Sequence, residues 1–134
     1  MIQSRFMLGS AGAIAAGAAL MAYAVRSPSS SLLSPTAFRG PRNRREIALT
    51  FDDGPSPGTL QLLAILREER VPATFFMCGA NVERHPEIAL ATVGEGHEAG
   101  NHSYSHARFW LRSTAFIKRE LGRAQESILS HTGA

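Results

Sequence analysis

One cysteine, Cys78, stands among the 134 residues, so no intrachain disulfide can form in any redox compartment. It lies in the apolar run Ala73-Thr74-Phe75-Phe76-Met77-Cys78 and reads as a buried small hydrophobe, not a reactive thiol. The absence of a cysteine near residue 24 excludes a lipoprotein anchor. Acidic residues are missing from the first 45 positions, which hold six arginines. Only Arg5 precedes the first apolar run, which argues against a twin-arginine leader. Residues 46–134 carry eight basic and eleven acidic side chains, so the whole-chain charge of +3 hides a segment at −3. With no basic cluster on that segment, no nucleic-acid partner is expected.

What the leader does contain is a twenty-residue uncharged run, residues 6–25, behind Arg5 and the α-amino group. It is diluted by alanine and glycine and ends in Ala22-Tyr23-Ala24, a cleavage-type signal. Residues 1–25 are therefore expected to be a signal peptide or an N-terminal membrane anchor. Residues 6–25 would make any attachment, and the protein would be exported to the periplasm, the cell exterior or the outward membrane face. Residues 26–45, rich in serine, proline and arginine and without an apolar period, read as a linker.

From Glu46 onward, short apolar runs alternate with helical patterns. Strands are expected over 47–51, 73–78 and 97–102. A helix is expected over 59–70, with Leu62, Leu63, Ile65 and Leu66 inward, and Val71-Pro72 stopping it. Asn81 is expected to cap a short helix whose body runs from Pro86 to Val93. A last helix begins near Ser113 or Thr114, shows Ile117, Leu121, Ala124 and Ile128 on one face, and closes at Gly133. The order β-α-β-α-β-α implies parallel strands in an open sheet or a barrel, with chemistry at the carboxyl ends of the strands.

Asp52 and Asp53 stand at one such end, in the segment TFDDGP. Two adjacent like charges gain nothing for folding. The segment HSYSH ends the third strand and offers His102 and His106 four residues apart, able to reach one point from a tight loop. One carboxylate and two imidazoles make three ligands and leave a metal position open to water. The second carboxylate can then accept a proton from water that the ion has acidified. Gly54 and Pro55 provide the turn beside the acids. A two-histidine-one-carboxylate oxygenase shares the ligand set, but hydrolysis, unlike iron oxygenation, needs the adjacent second acid.

At these residues the chain resembles the polysaccharide deacetylases, carbohydrate esterase family 4, which share the NodB homology domain. TFDDGP is similar to the family's first motif and HSYSH to its second, and residues 73–106 follow the family pattern almost throughout; the resemblance covers roughly residues 46–133. It implies an α/β fold, a partial (β/α) barrel of about three β-α units over residues 46–134. It also implies Asp52 as the catalytic base, and Asp53, His102 and His106 as ligands of zinc, or of cobalt, manganese or iron. Ser103 would brace the histidine loop. The implied reaction removes N-acetyl groups from an N-acetylglucosamine-containing polymer such as chitin or peptidoglycan.

The resemblance has a limit. Family members continue beyond the last helix with an arginine- and proline-bearing motif, an aspartate and tryptophan motif, and a late Leu-x-x-His motif that supplies the general acid. The sequence stops at Ala134, ahead of these. The expectation is a truncated domain with an impaired or inactive site; a non-catalytic metal- or glycan-binding remnant is the alternative. His131, at the tail of the last helix, reads as solvated and not as a substitute acid. His85 and His97 read as surface or turn residues.

Overall fold

The computed structural model describes the chain except Met1, Pro28, Ser34 and Thr36, and only the backbone of residues 2–11. Two units follow one another, Met1–Ile47 and Ala48–Ala134. The first holds α1 (Ile2–Arg26), which contains the uncharged run of residues 6–25. Among the described residues, no helix is long and apolar enough to cross a membrane.

The second unit contains β1 (Thr50–Gly54), α2 (Pro57–Glu69), β2 (Thr74–Met77), α3 (Gly79–Arg84), α4 (Pro86–Gly94), β3 (Glu98–Asn101) and α5 (Thr114–Thr132). The three strands form one parallel sheet in the order β1-β2-β3, as alternating strands and helices imply. β1 starts later than the apolar run suggests. Its pairing partner begins at Thr74, whose N–H reaches back to the Leu49 carbonyl at 3.0 Å, while Ile47 is 93% exposed.

Central strand β2 alternates, with Phe75 and Met77 buried and Thr74 and Phe76 half-buried on the other side. Phe75 and Met77 join Leu63, Leu66, Ala73, Val82, Ala89 and Ile128 in one core between the sheet and the helices. Each large aliphatic side chain buried there contributes about 1.5–3 kcal/mol. Opposite, the Phe76 ring lies over Gly100 so closely that a β-carbon on Gly100 would overlap it, which accounts for a glycine within β3.

α2 begins two residues ahead of Thr59. Ser56 and Thr59 tie each other, Ser56 N–H to Thr59 Oγ1 at 3.0 Å and Thr59 N–H to the Ser56 carbonyl at 2.9 Å, and Pro57 needs no partner in the first turn. Its buried face is Thr59, Leu63 and Leu66. Ile65, expected inward, is exposed because it lies two positions from Leu63, about 200° around the helix. α5 starts as expected, the Ser113 hydroxyl accepting the Phe116 N–H at 3.2 Å, and ends at Gly133 with φ +73°. Ala124 and Ile128 are fully buried where α5 packs on α3 and α4, while Ile117 is half-buried and Leu121 is open.

Two further expectations need correction. Asn81 does not cap α4; it lies inside α3, with His85 at the junction of the two helices. His97 follows a turn, one of the two places expected for it, but does not lie on the surface. It is 7% exposed, its Nδ1 accepts the Ala73 N–H at 3.2 Å, and its ring lies 5.5 Å from that of Phe75. The turn at Gly96 folds it beneath β2, a long-range placement that local polarity does not reveal.

Candidate metal centre

The placement of the two site carboxylates arises from a break in the strand pattern. Adjacent residues of a regular strand point to opposite faces. Between Phe51 and Gly54, however, β1 slips against β2: Phe51 pairs with Phe75 and Gly54 with Met77, so β1 spends one extra residue. Such a bulge re-aims side chains, and here Asp53 takes φ +68°. Asp52 and Asp53, both exposed, line one concavity of about 420 Å³ together with Phe51, Ser56 and Phe75. The side-chain amide of Asn81 donates to the Asp53 carbonyl at 2.7 Å, and the Cys78 N–H to the Gly54 carbonyl at 2.9 Å. These bonds hold the strand end against α3.

The histidines enter from the end of β3. The His102 N–H donates to the Met77 carbonyl at 2.9 Å, extending the ladder by one residue. The chain then turns through Ser103 (φ +63°) and His106 (φ +56°). Left-handed backbone costs a non-glycine residue about 1–3 kcal/mol and persists where surroundings enforce it. Enforcement here is dense. Gly79 and Ala80 N–H groups donate to the Ser103 and Tyr104 carbonyls, both at 3.0 Å. The Ser103 N–H donates to Asn101 Oδ1 at 3.0 Å, and the Ser105 N–H and hydroxyl donate to Glu120 Oε2 at 2.9 and 2.8 Å. Tyr104 donates its hydroxyl to Glu83 at 2.8 Å, under the Arg123 guanidinium. Ser103 is buried and is tied through its backbone.

Nε2 of His102 and Nε2 of His106 each stand 3.1 Å from Oδ1 of Asp53, with the two rings 5.1 Å apart. One donor atom from each of the three residues lies within 4.8 Å of the others. The donor set of two imidazoles and one carboxylate fits a divalent ion with bonds of about 2.0–2.2 Å. His102 is the most enclosed of the three, its side chain 30% exposed against 62% for His106 and 67% for Asp53. Burial, and then the charges of Asp53 and Asp52, push the Cys78 thiol above its ordinary value, so it stays protonated, donating to the His102 carbonyl.

The sequence-predicted residues therefore meet. Asp53, His102 and His106 converge on one point and Asp52 stands next in the chain to the first of them, while His131 is engaged with the Ser127 carbonyl in the last turn of α5. Sequence reasoning missed Asn81, Asn101, Tyr104, Glu83 and Glu120. Asn101 and Tyr104 flank or interrupt the two histidines, and that proximity was the available signal.

The chain matches the family model described as polysaccharide deacetylase over residues 39–134. It is 44% identical over 87 residues to a chitooligosaccharide deacetylase of Rhizobium leguminosarum bv. trifolii, covering 64% of this chain and 40% of the relative. It is 51% identical over 71 residues to a peptidoglycan-N-acetylglucosamine deacetylase of Bacillus cereus, covering 52% and 26%. Among solved structures it is similar to the peptidoglycan deacetylase PdaC of Bacillus subtilis, with 39% identity, a TM-score of 0.66 and coverage of 69% of this chain and 46% of that one. The chain thus spans less than half the length of these proteins. The three parallel strands and their helices make up part of the (β/α) barrel of such deacetylases. From residue 39 to residue 134, this chain belongs to the polysaccharide deacetylase family.

Proposed function

We propose that the protein is a metal-dependent hydrolase that removes N-acetyl groups from an N-acetylglucosamine-containing polymer. Asp53, His102 and His106 hold the divalent ion and Asp52 acts as the general base. The observation that carries this reading is the convergence of two Nε2 atoms on a single oxygen of Asp53, 3.1 Å from each, beside a second exposed carboxylate. A divalent ion there supplies Lewis acidity toward an amide oxygen and makes water acidic enough for a carboxylate to deprotonate near neutral pH. Zinc suits the donor set best, with cobalt, manganese and iron as the other candidates.

Asp52 takes the proton of the attacking water as its oxygen adds to the acetyl carbon. Protonated Asp52 then returns that proton to the nitrogen as the C–N bond breaks, so that the products are acetate and the free amine. Asn81 fixes the strand end that presents both acids. The concavity that Asp52 and Asp53 line with Phe51 and Ser56 would receive part of the acetylated sugar beside the base. The chain's similarity to chitooligosaccharide and peptidoglycan deacetylases supports this substrate class. Export belongs to the same proposal, resting on the uncharged run 6–25 and its Ala22-Tyr23-Ala24 ending; fractionation of expressing cells tests it.

The openness of the site favours a second reading, metal or glycan binding with little turnover. Asp53 and His106 are both more than half exposed, whereas electrostatic catalysis gains most where water is excluded. One experiment separates the two. The chain is stripped with a chelator, reloaded with zinc or cobalt, and given N-acetylglucosamine oligomers and peptidoglycan while acetate is measured. Asp52→Asn should keep the metal and abolish acetate release. Metal retained without acetate release in the unaltered chain favours the binding role, and failure to take up any divalent ion overturns both readings.

A further inference from the structure

We infer that Glu120, on α5, is a positioning residue that holds His106 in its ligating conformation; the inference rests on the metal-site reading above. The two histidines are secured unequally. His102 follows β3 directly, and its own N–H is part of the sheet ladder. His106 comes after four residues of loop, adopts φ +56°, and precedes a stretch, residues 107–113, that contains no helix or strand. Ties on its N-terminal side end at Ser105. Both hydrogens that Ser105 can donate, from its N–H and its hydroxyl, go to the same oxygen of Glu120 at 2.9 and 2.8 Å.

Glu120 is fifteen residues away in sequence, half-buried, and set on a helix whose start is fixed by Ser113 and which packs on α3 and α4, with Ala124, Ser127 and Ile128 buried. A rigid element thus grips the residue next to the more exposed ligand. Released from Glu120, Ser105 would regain the freedom to rotate, and the strained backbone at His106 would relax toward ordinary φ values. Nε2 would then leave the point it shares with His102 and Asp53. A carboxylate fits this task because two donors converge on one of its oxygens; a glutamine carbonyl can also accept both, with weaker bonds.

The test is cobalt binding to the full chain, followed by calorimetry and by the visible absorption of Co²⁺, which reports ligand number and symmetry. Partners that orient metal ligands typically contribute about 10–100-fold in affinity. Glu120→Ala should weaken binding by about that factor and alter the spectrum, Glu120→Gln should restore most of both, and Ser105→Ala should fall between. In a His106→Ala background, Glu120→Ala should cost nothing further, since its effect acts through that imidazole. Melting curves of the Gln and Ser105 variants keep the test valid if the alanine variant folds poorly. Wild-type-like cobalt affinity in Glu120→Ala, or additive losses with His106→Ala, overturns the inference alone. An unaltered chain that binds no cobalt overturns the metal-site reading beneath it.

Discussion

The side-chain amide of Asn81 donates to the backbone carbonyl of Asp53 at 2.7 Å, across 28 residues of sequence. It is a direct tie between α3 and the bulged end of β1. Because Asp53 holds φ +68°, this bond helps to keep a strained residue from relaxing. Asn81→Ala should weaken zinc or cobalt binding about tenfold and lower stability by about 0.5–1.5 kcal/mol. Titration calorimetry and urea unfolding measure the two effects. Unchanged metal affinity would show that the bulge alone sets the Asp53 carboxylate.

Gly79 opens α3 where that helix crosses α5 and the histidine loop. A β-carbon there would sit 2.7 Å from Cδ2 of Tyr104 and 2.8 Å from Cα of Ala124, and the second neighbour is backbone that cannot swing aside. Gly79→Ala should destabilise the unit by about 1–3 kcal/mol, read as a lower urea midpoint. Gly94→Ala, with open space at its β-carbon, serves as the neutral control. Equal midpoints for both would contradict the close crossing.

Acid should weaken the ties that hold the histidine loop. Hydrogen bonds from Tyr104, and then Ser127, hold the Glu83 carboxyl below its usual 4.5, and the Ser105 N–H does the same for Glu120. Both groups bind a proton less readily in the folded chain than in the unfolded one. Their stabilising effect is therefore complete above pH 4.5 and is lost as pH falls through the lower folded values. Urea midpoints followed from about pH 6 to pH 3 should drop on the acid side. Glu83→Gln with Glu120→Gln should flatten that drop, and an unaltered slope would count against the assignment.

Leu111 combines φ +59° with 87% exposure, so it bears the left-handed cost with little packing in return. Leu111→Gly should raise stability by up to about 1 kcal/mol, after allowance for the looser unfolded chain. A fall in the urea midpoint would mean that the leucine side chain is holding the loop.

The alternation of strands with helices was legible because buried parallel strands are short apolar runs and the helices between them are amphipathic. The convergence of Asp53, His102 and His106 was legible because the candidate residues are clustered chemically as well as in sequence. The failures have particular causes. α3 has six residues and opens with Gly79-Ala80, too short for an apolar period to show. Asn81 carries a good capping side chain, and nothing local reveals that its amide is spent on Asp53. Ile65 was placed inward by hydrophobicity where helical angle sends it out. His97 is buried by a turn. Glu120 sits on the polar side of an amphipathic helix, where it is indistinguishable in sequence from a solvated glutamate.

Asp53 and His106 stand at opposite ends of a segment about fifty residues long, and their donor atoms meet at 3.1 Å. An ion clasped between them would cross-link that segment as a disulfide does elsewhere, in a chain whose lone thiol has no mate. Closing a loop of this size removes chain entropy equivalent to roughly 4 kcal/mol from the unfolded state. Stripping the ion from a loaded chain should therefore lower its stability by a comparable amount, a fastening role that would not depend on any reaction.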